Sequence, residues 1–354
     1  MYFFRKVQLL SFLMIYSLLG FYWKWRTYDF FPEGHPRRWE VALTSRYQAV
    51  RINATLSTKL PVSSGVPQGS ILGPLLFNIY VNDHPSVSEN CSSQCCVDDT
   101  KLLMSFQLHN QHEAIAKMNK DLLSIRNWCF NNQLLLNPDK MKLVIFGSWQ
   151  LTAKVIDLRL FLLGKELKPV KAARDLGVTL DSNLTFNDHI VSIVSSCMSR
   201  LGQINHVKHI FDKHALIIIL NALVFSKLFY CSSVWSNTTQ ANLDKLQAVQ
   251  NFACRILCVA KKFDHITSLL KDLRWLPVRQ QLYFRFAVLV FKCMTGCAPD
   301  YLTSKLVRRS AVSTRTTRNS QLLNIPFFRT ASGQRTFQYR ATSLWNELQP
   351  ELKL

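Results

Sequence analysis

Two aspartates stand side by side at positions 98 and 99, in the frame CVDDTKLL. Like charges at close range disfavour one another, so such a pair persists at little cost only where both are solvated or where a cation lies between them. The dipeptide alone fits a solvated turn as well as a metal site. The forty-odd residues around it narrow the choice, because residues 63–103 read SSGVPQGSILGPLLFNIYVNDHPSVSENCSSQCCVDDTKLL. In residues 65–70, Gly65 and Gly69 allow close backbone approach, as does Gly73 just beyond, and Pro67 and Pro74 stiffen the path. Gln68 and Ser70 offer neutral hydrogen-bonding groups suited to a sugar, base or phosphate edge. Residues 71–81 form an apolar run with Leu72, Leu75, Leu76, Ile79 and Tyr80 at helical spacing. Residues 95–103 have the length of strand, turn and strand, with Asp98 and Asp99 at the turn. On a hairpin tip two successive side chains can converge on one cation.

Together these motifs resemble the central palm of reverse transcriptases, in detail those of jockey-like retrotransposons without long terminal repeats. GVPQGSILGPLLFNIYVND is similar to the motif that lines the template and incoming nucleotide, and CVDDTKLL to the family's Tyr-x-Asp-Asp hairpin. The resemblance implies that Asp98 binds catalytic Mg²⁺ with Asp99 as its neighbour, and that Gly65, Pro67, Gln68, Gly69 and Ser70 shape the nucleotide and template pocket. Cys96 stands where the family usually has tyrosine, and Val97 where it often has alanine. Further on, LLLNPDKMKLVIFG resembles the palm motif that places a lysine near the nucleotide phosphates, and Lys140 is the matching residue, with Met141 in place of threonine. A solvated turn lysine is the alternative for Lys140. Residues 176–190 resemble the hairpin that supports the primer end, with Phe186 where tryptophan is common.

The implied activity is RNA-directed DNA polymerisation, a nucleotidyl transfer. In it Mg²⁺ activates the primer 3′-hydroxyl, and the partners are RNA template, DNA primer and a deoxynucleoside triphosphate. The implied fold is α+β: a partial polymerase palm of mixed and antiparallel sheet with helices, followed by an α-helical thumb-like region. One departure bears on activity. A two-metal site needs carboxylates from more than one strand, and the family's earlier motif, Phe-Asp-x-x-x-Ala-Phe-Asp, has no counterpart. Asp29 is the only aspartate before Asp83. The expectation is therefore the back half of a reverse transcriptase, N-terminally truncated, weakly active or inactive alone. A non-enzymatic RNA-binding relic is the alternative.

The organisation expected is an unrelated apolar and basic segment over 1–38, the partial palm over 39–186, the helical region over 187–299 and a basic segment over 300–354. Residues 7–23 carry no charge, with Arg5 and Lys6 before them and Lys24 and Arg26 after. That run is just under the usual length of a membrane span. A membrane anchor through it, a buried helix and sequence fused upstream of the retroelement all remain open. Without the anchor, the location implied is nuclear or cytoplasmic.

Residues 45–62 alternate as two strands around a turn at Asn53 and Ala54. Residues 112–136 carry Ile115, Met118, Leu122, Ile125 and Trp128 on one helical face. Helices are expected over about 190–210, 214–235, 243–260 and 278–294. In the third, Leu246, Val249, Gln250, Ala253 and Leu257 mark the inner face. Asp181 and His189 read as structural or capping groups. Cys254 with Cys258, and Cys293 with Cys297, sit four apart, a spacing that reads as core packing.

The balance of 43 Lys and Arg against 22 Asp and Glu, a net charge of +21, favours a polyanionic partner. Ten cysteines without a compact framework suggest a reducing compartment. From residue 300 onward, Arg308, Arg309, Arg315, Arg318, Arg329, Arg335 and Arg340 interleave with Phe327, Phe328, Phe337, Tyr339 and Trp345. That pattern suits RNA through phosphate contact and stacking, or a basic tail packed on the helices.

Overall fold

The computed structural model describes residues 7–16, 46–62, 70–312, 321–328 and 330–352. It divides into two compact units, one built on Arg5–Ala173 and the other on Arg174–Leu354. Both are mixtures of helix and short strands, as an α+β palm followed by a helical region requires.

The first unit is organised by a six-stranded sheet. Its central strand is β1, Val7–Tyr16. This does not support the membrane anchor, one of the alternatives open for residues 7–23. The first ten residues of that run are hydrogen-bonded on both edges within a sheet, and among the described residues no helix is long and apolar enough to cross a membrane. A continuous apolar run of this length fits a strand in a sheet as well as a helix, and periodicity alone does not separate the two. The rest of that run lies outside the described residues.

Two nested ladders follow: β2, Arg46–Gln48, pairs with β5, Leu60–Val62, and inside them β3, Arg51–Ile52, pairs with β4, Thr55–Leu56. The turn falls at Asn53 and Ala54, as the alternation suggested, with Asn53 left-handed at φ 54°. Helix α1, Gly73–Tyr80, is the expected helix in a different orientation. Gly73 and Phe77 are buried, whereas Leu72, Leu75 and Ile79 are each more than half exposed. Spacing located the apolar stripe but could not say which side meets the core.

Strand β6, Ser92–Cys96, turns directly into β7, Asp99–Phe106. In β7 every second residue, Thr100, Leu102, Met104 and Phe106, is buried, the period of a sheet with one covered face. Helix α2, Gln111–Asn131, supplies the cover: Met118, Leu122, Ile125 and Cys129 are fully buried in the same cluster. After it come β8, Leu135–Leu136, and β9, Lys142–Phe146. Then β10, Leu160–Leu162, and β11, Lys165–Leu167, form a hairpin, and β12, Pro169–Val170, runs parallel to β9.

The second unit begins within β13, Ala172–Asp175, which is followed by β14, Val178–Asp181. Helix α3, Asn187–Val207, packs on α5, Gln240–Cys258. Between them α4, Lys213–Leu220, does not run on to Trp235 as expected. It passes into a π-turn at Asn221–Phe225, resumes over Ser226–Leu228 and ends there, and a left-handed Cys231 precedes a separate turn of helix at Ser232–Trp235. The inner face of α5 is the one read from spacing, with Leu246, Val249, Gln250, Ala253 and Leu257 all buried. Gln250 belongs there because its amide donates to the Leu276 carbonyl at 2.9 Å. Helix α6 is Ile266–Asp272, α7 is Val278–Met294 and the terminal α8 is Phe337–Leu352. Phe286 and Val290 of α7 meet Ala341 and Leu344 of α8 in a separate small core.

Candidate active site

The paired aspartates sit where β6 becomes β7. The register matches Cys96 with Asp99, so the loop is only Val97 and Asp98. Asp98 is at the tip, and Asp99 already starts the outgoing strand. Val97 has φ 58°, a left-handed conformation that a β-branched residue adopts only under constraint. Asp98 and Asp99 are half-buried, and Cys96 and Val97 are exposed. Asp98 makes no side-chain hydrogen bond or ion pair among the described residues.

The hairpin is fixed from below. Cys95 Sγ lies 3.4 Å from Nδ1 of His84 and 3.4 Å from Oγ1 of Thr100. His84 is buried edge-on against Trp128, whose indole N–H donates to Asp83 at 3.1 Å. Burial pulls the His84 pKa down to about 4, against the opposing pull of the Asp83 charge. Cys129 is pushed up to about 12, by burial first and by its neighbour Cys95 second. The loop entering β6 is held by Asp121 of α2. Its carboxylate accepts from the backbone N–H groups of Glu89, Asn90 and Cys91 and from the Asn90 amide, at 2.7–3.3 Å. Burial raises the Asp121 pKa, but these bonds outweigh it and the net shift is downward. Sequence reading missed Asp121, a lone acid on an otherwise apolar face of α2, which is the signal that would have found it.

Lys140 falls at the same end of the sheet. Strands β7 and β9 both run antiparallel to β1 and flank it. Both therefore start where β1 ends. Asp99 opens β7, and Lys140 lies two residues before Lys142, the residue of β9 matched to Phe12 of β1. Strands two apart in a sheet are separated by about 10 Å. Lys140 is exposed, and its turn is held by the Asn137 side chain, which accepts from the Asp139 N–H at 3.0 Å. Asp139 pairs in turn with Lys165.

Of the glycine-rich loop, Gly65, Pro67, Gln68 and Gly69 lie outside the described residues. Ser70 is described, and its hydroxyl accepts from the Gly73 N–H at 3.0 Å, capping the start of α1.

The donor set does not fit the pair of Mg²⁺ ions that the family implies. Two ions that share ligands draw carboxylates from neighbouring strands. The strand beside the hairpin is β1, whose sequence VQLLSFLMIY contains no acid. Its Met14 is the residue matched to Asp99. Among the described residues no three histidine, cysteine, aspartate or glutamate groups converge.

Elsewhere the structure settles several assignments. Asp181 accepts from the N–H groups of Asn183, Thr185 and Phe186 at 2.7–3.1 Å, and buried His189 accepts from the Thr179 N–H at 3.3 Å. Both are structural, as read. Arg340 is not a free RNA contact. It lies over the Phe286 ring at 4.2 Å and donates to Ser236 at 3.0 Å, and burial lowers its pKa. Arg315, Arg318 and Arg329 lie outside the described residues.

Comparison with known proteins agrees with the motifs. The family described as reverse transcriptase (RNA-dependent DNA polymerase) matches residues 20–180. A probable RNA-directed DNA polymerase from transposon X-element of Drosophila melanogaster is 25% identical over 250 residues, covering 68% of this chain and 26% of that protein. The corresponding protein of transposon BS is 27% identical over 250 residues, 68% of this chain and 27% of its own length. The RNA-directed DNA polymerase from mobile element jockey is 24% identical over 242 residues, 66% of this chain and 26% of its own. The chain thus spans about a quarter of the length of the curated relatives it matches. The two motifs, the sheet that carries them and these matches together support a reverse transcriptase of a retrotransposon without long terminal repeats, similar to those of the jockey-like elements.

Proposed function

We propose that this chain is a reverse transcriptase domain that grips RNA template and DNA primer and, by itself, extends a primer weakly or not at all. The observation that carries the reading is the pairing at one sheet end of the Asp98–Asp99 hairpin with Lys140, beside a strand that offers no carboxylate. Lys140 would meet the nucleotide phosphates as a point charge. Gly65, Pro67, Gln68, Gly69 and Ser70 would form the template and nucleotide loop, and Asp98 would face the primer end. The net charge of +21 supports a nucleic-acid partner through counterion release. Nuclear or cytoplasmic residence follows from that partner.

Primer extension on an RNA template with Mg²⁺, run in parallel with Asp98→Ala, tests this together with RNA binding over a salt series. Extension near background, with RNA affinity that falls steeply with salt and is unchanged or increased by Asp98→Ala, is expected. Robust extension abolished by Asp98→Ala would overturn the weak-activity reading, and RNA affinity insensitive to salt would overturn the nucleic-acid reading.

A further inference from the structure

Strand β1 has an unusual position for an acid-free segment. It is matched along eight residues to β7, from Val7 with Phe106 to Met14 with Asp99. On its other edge it is matched to β9, from Gln8 with Phe146 to Phe12 with Lys142, and then to β8 through Ile15 with Leu136 and Tyr16 with Leu135. It therefore completes the sheet at the end that carries the aspartates. Directly opposed residues of an antiparallel pair have Cβ atoms about 4.5–5.5 Å apart, close enough for two carboxylates to share a divalent cation. Only one position of β1 is opposed to a hairpin aspartate, and methionine occupies it. A thioether is a soft, neutral group that does not hold Mg²⁺ or Mn²⁺, which select oxygen ligands. Asp98 and Asp99, successive residues on one hairpin, would leave most of a cation's coordination to water.

We infer that β1 closes the palm sheet as a structural strand without supplying a metal ligand, so that the Asp98–Asp99 site is one carboxylate short, and that position 14 is where that carboxylate belongs. The position is set by register, and a one-residue shift reverses the face presented. Position 15 is thus the internal control: the same charge, on the same strand, on the opposite face. The inference rests on reading the hairpin as a nucleotidyl-transfer site only for the choice of cation. Its test uses cation binding, whereas that reading is tested by RNA binding and primer extension, so the two fail separately.

Mn²⁺ binding to the full chain, followed by loss of the free-ion signal in electron paramagnetic resonance, distinguishes the outcomes. Wild type should bind Mn²⁺ at this site only at millimolar levels. Met14→Asp should tighten binding at least tenfold, Met14→Asn and Ile15→Asp should not, and adding Asp99→Asn to Met14→Asp should abolish the gain. A folded Met14→Asp protein, by circular dichroism, that binds no more tightly than Ile15→Asp would overturn the inference. If Met14→Asp does not fold, wild type decides alone. Micromolar Mn²⁺ binding lost in Asp98→Asn or Asp99→Asn would mean that the site is already complete and would overturn it. Millimolar binding, whether or not either substitution weakens it further, supports it.

Discussion

His84 shows how much of the hairpin's position depends on a neutral side chain. It is 1% exposed, its Nε2 has no hydrogen-bond partner among the described residues, and its Nδ1 faces Cys95. Protonation would put a charge between a thiol and the Trp128 ring, with only Asp83 nearby to offset it. The sign follows from linkage. The folded pKa, about 4, lies below the unfolded 6.5, so the folded state favours the neutral ring. The contribution is fully present above pH 6.5 and is lost as pH falls toward 4, amounting to about 3 kcal/mol at the lower limit. Denaturant unfolding of wild type and His84→Gln between pH 7 and 4 should therefore converge in slope only at the ends of that window, with the variant flatter within it. Asp121 also loses stabilisation in acid, but at lower pH, as its own depressed pKa is crossed. The role of His84 had no mark in the sequence, and that of Asp121 had only its place as a lone acid on an apolar helix face. A buried histidine and a buried aspartate look like surface groups in a sequence, because what makes them structural is a partner some ten to thirty residues away.

At the level of elements, the regular features were legible and their surroundings were not. The β6–β7 hairpin, the helix after it and the inner face of α5 follow from period alone, since each has one covered side. The break in the helix expected over 214–235 had no sequence mark: no glycine or proline lies in it, and the π-turn and left-handed Cys231 arise in packing. The terminal helix α8 shows the same limit. Interleaved arginine and aromatic residues fitted an RNA surface or a tail packed on the helices, and Phe337 and Trp345 pack into the small core with α7 while Phe328 packs edge-on against Tyr339. Arg340 fastens α8 by its contacts with Phe286 and Ser236. Arg340→Ala should cost about 2–3 kcal/mol through the lost cation–π contact, hydrogen bonds and packing. Limited proteolysis should then cut the tail ahead of the rest of the second unit. RNA affinity should change less than with Arg335→Ala, because Arg335 is exposed. Equal loss of RNA binding in both would return Arg340 to the binding surface.

For the molecule as a whole, each unit holds its own core: one around Leu102, Met118, Leu122 and Leu143, the other around Ile190, Leu201, Leu246 and Trp235. Leu10→Pro removes a hydrogen bond at the centre of β1, where proline is not tolerated. It should abolish the unfolding transition of the first unit and leave that of the second. Loss of both transitions would show that the second unit does not fold alone. Strand β1 has one more consequence, which belongs to synthesis. It is made before either of its partners, and Val7 is matched to Phe106 and Gln8 to Phe146. At translation rates of roughly 5–20 residues per second, the nascent strand waits about 7–28 seconds for its second neighbour. Throughout that interval it is an apolar ribbon with both edges open, the form most prone to pair with another chain. Yield in the cell should therefore be set by how fast the ribosome reaches β9 and by the chaperones that shield β1 until then.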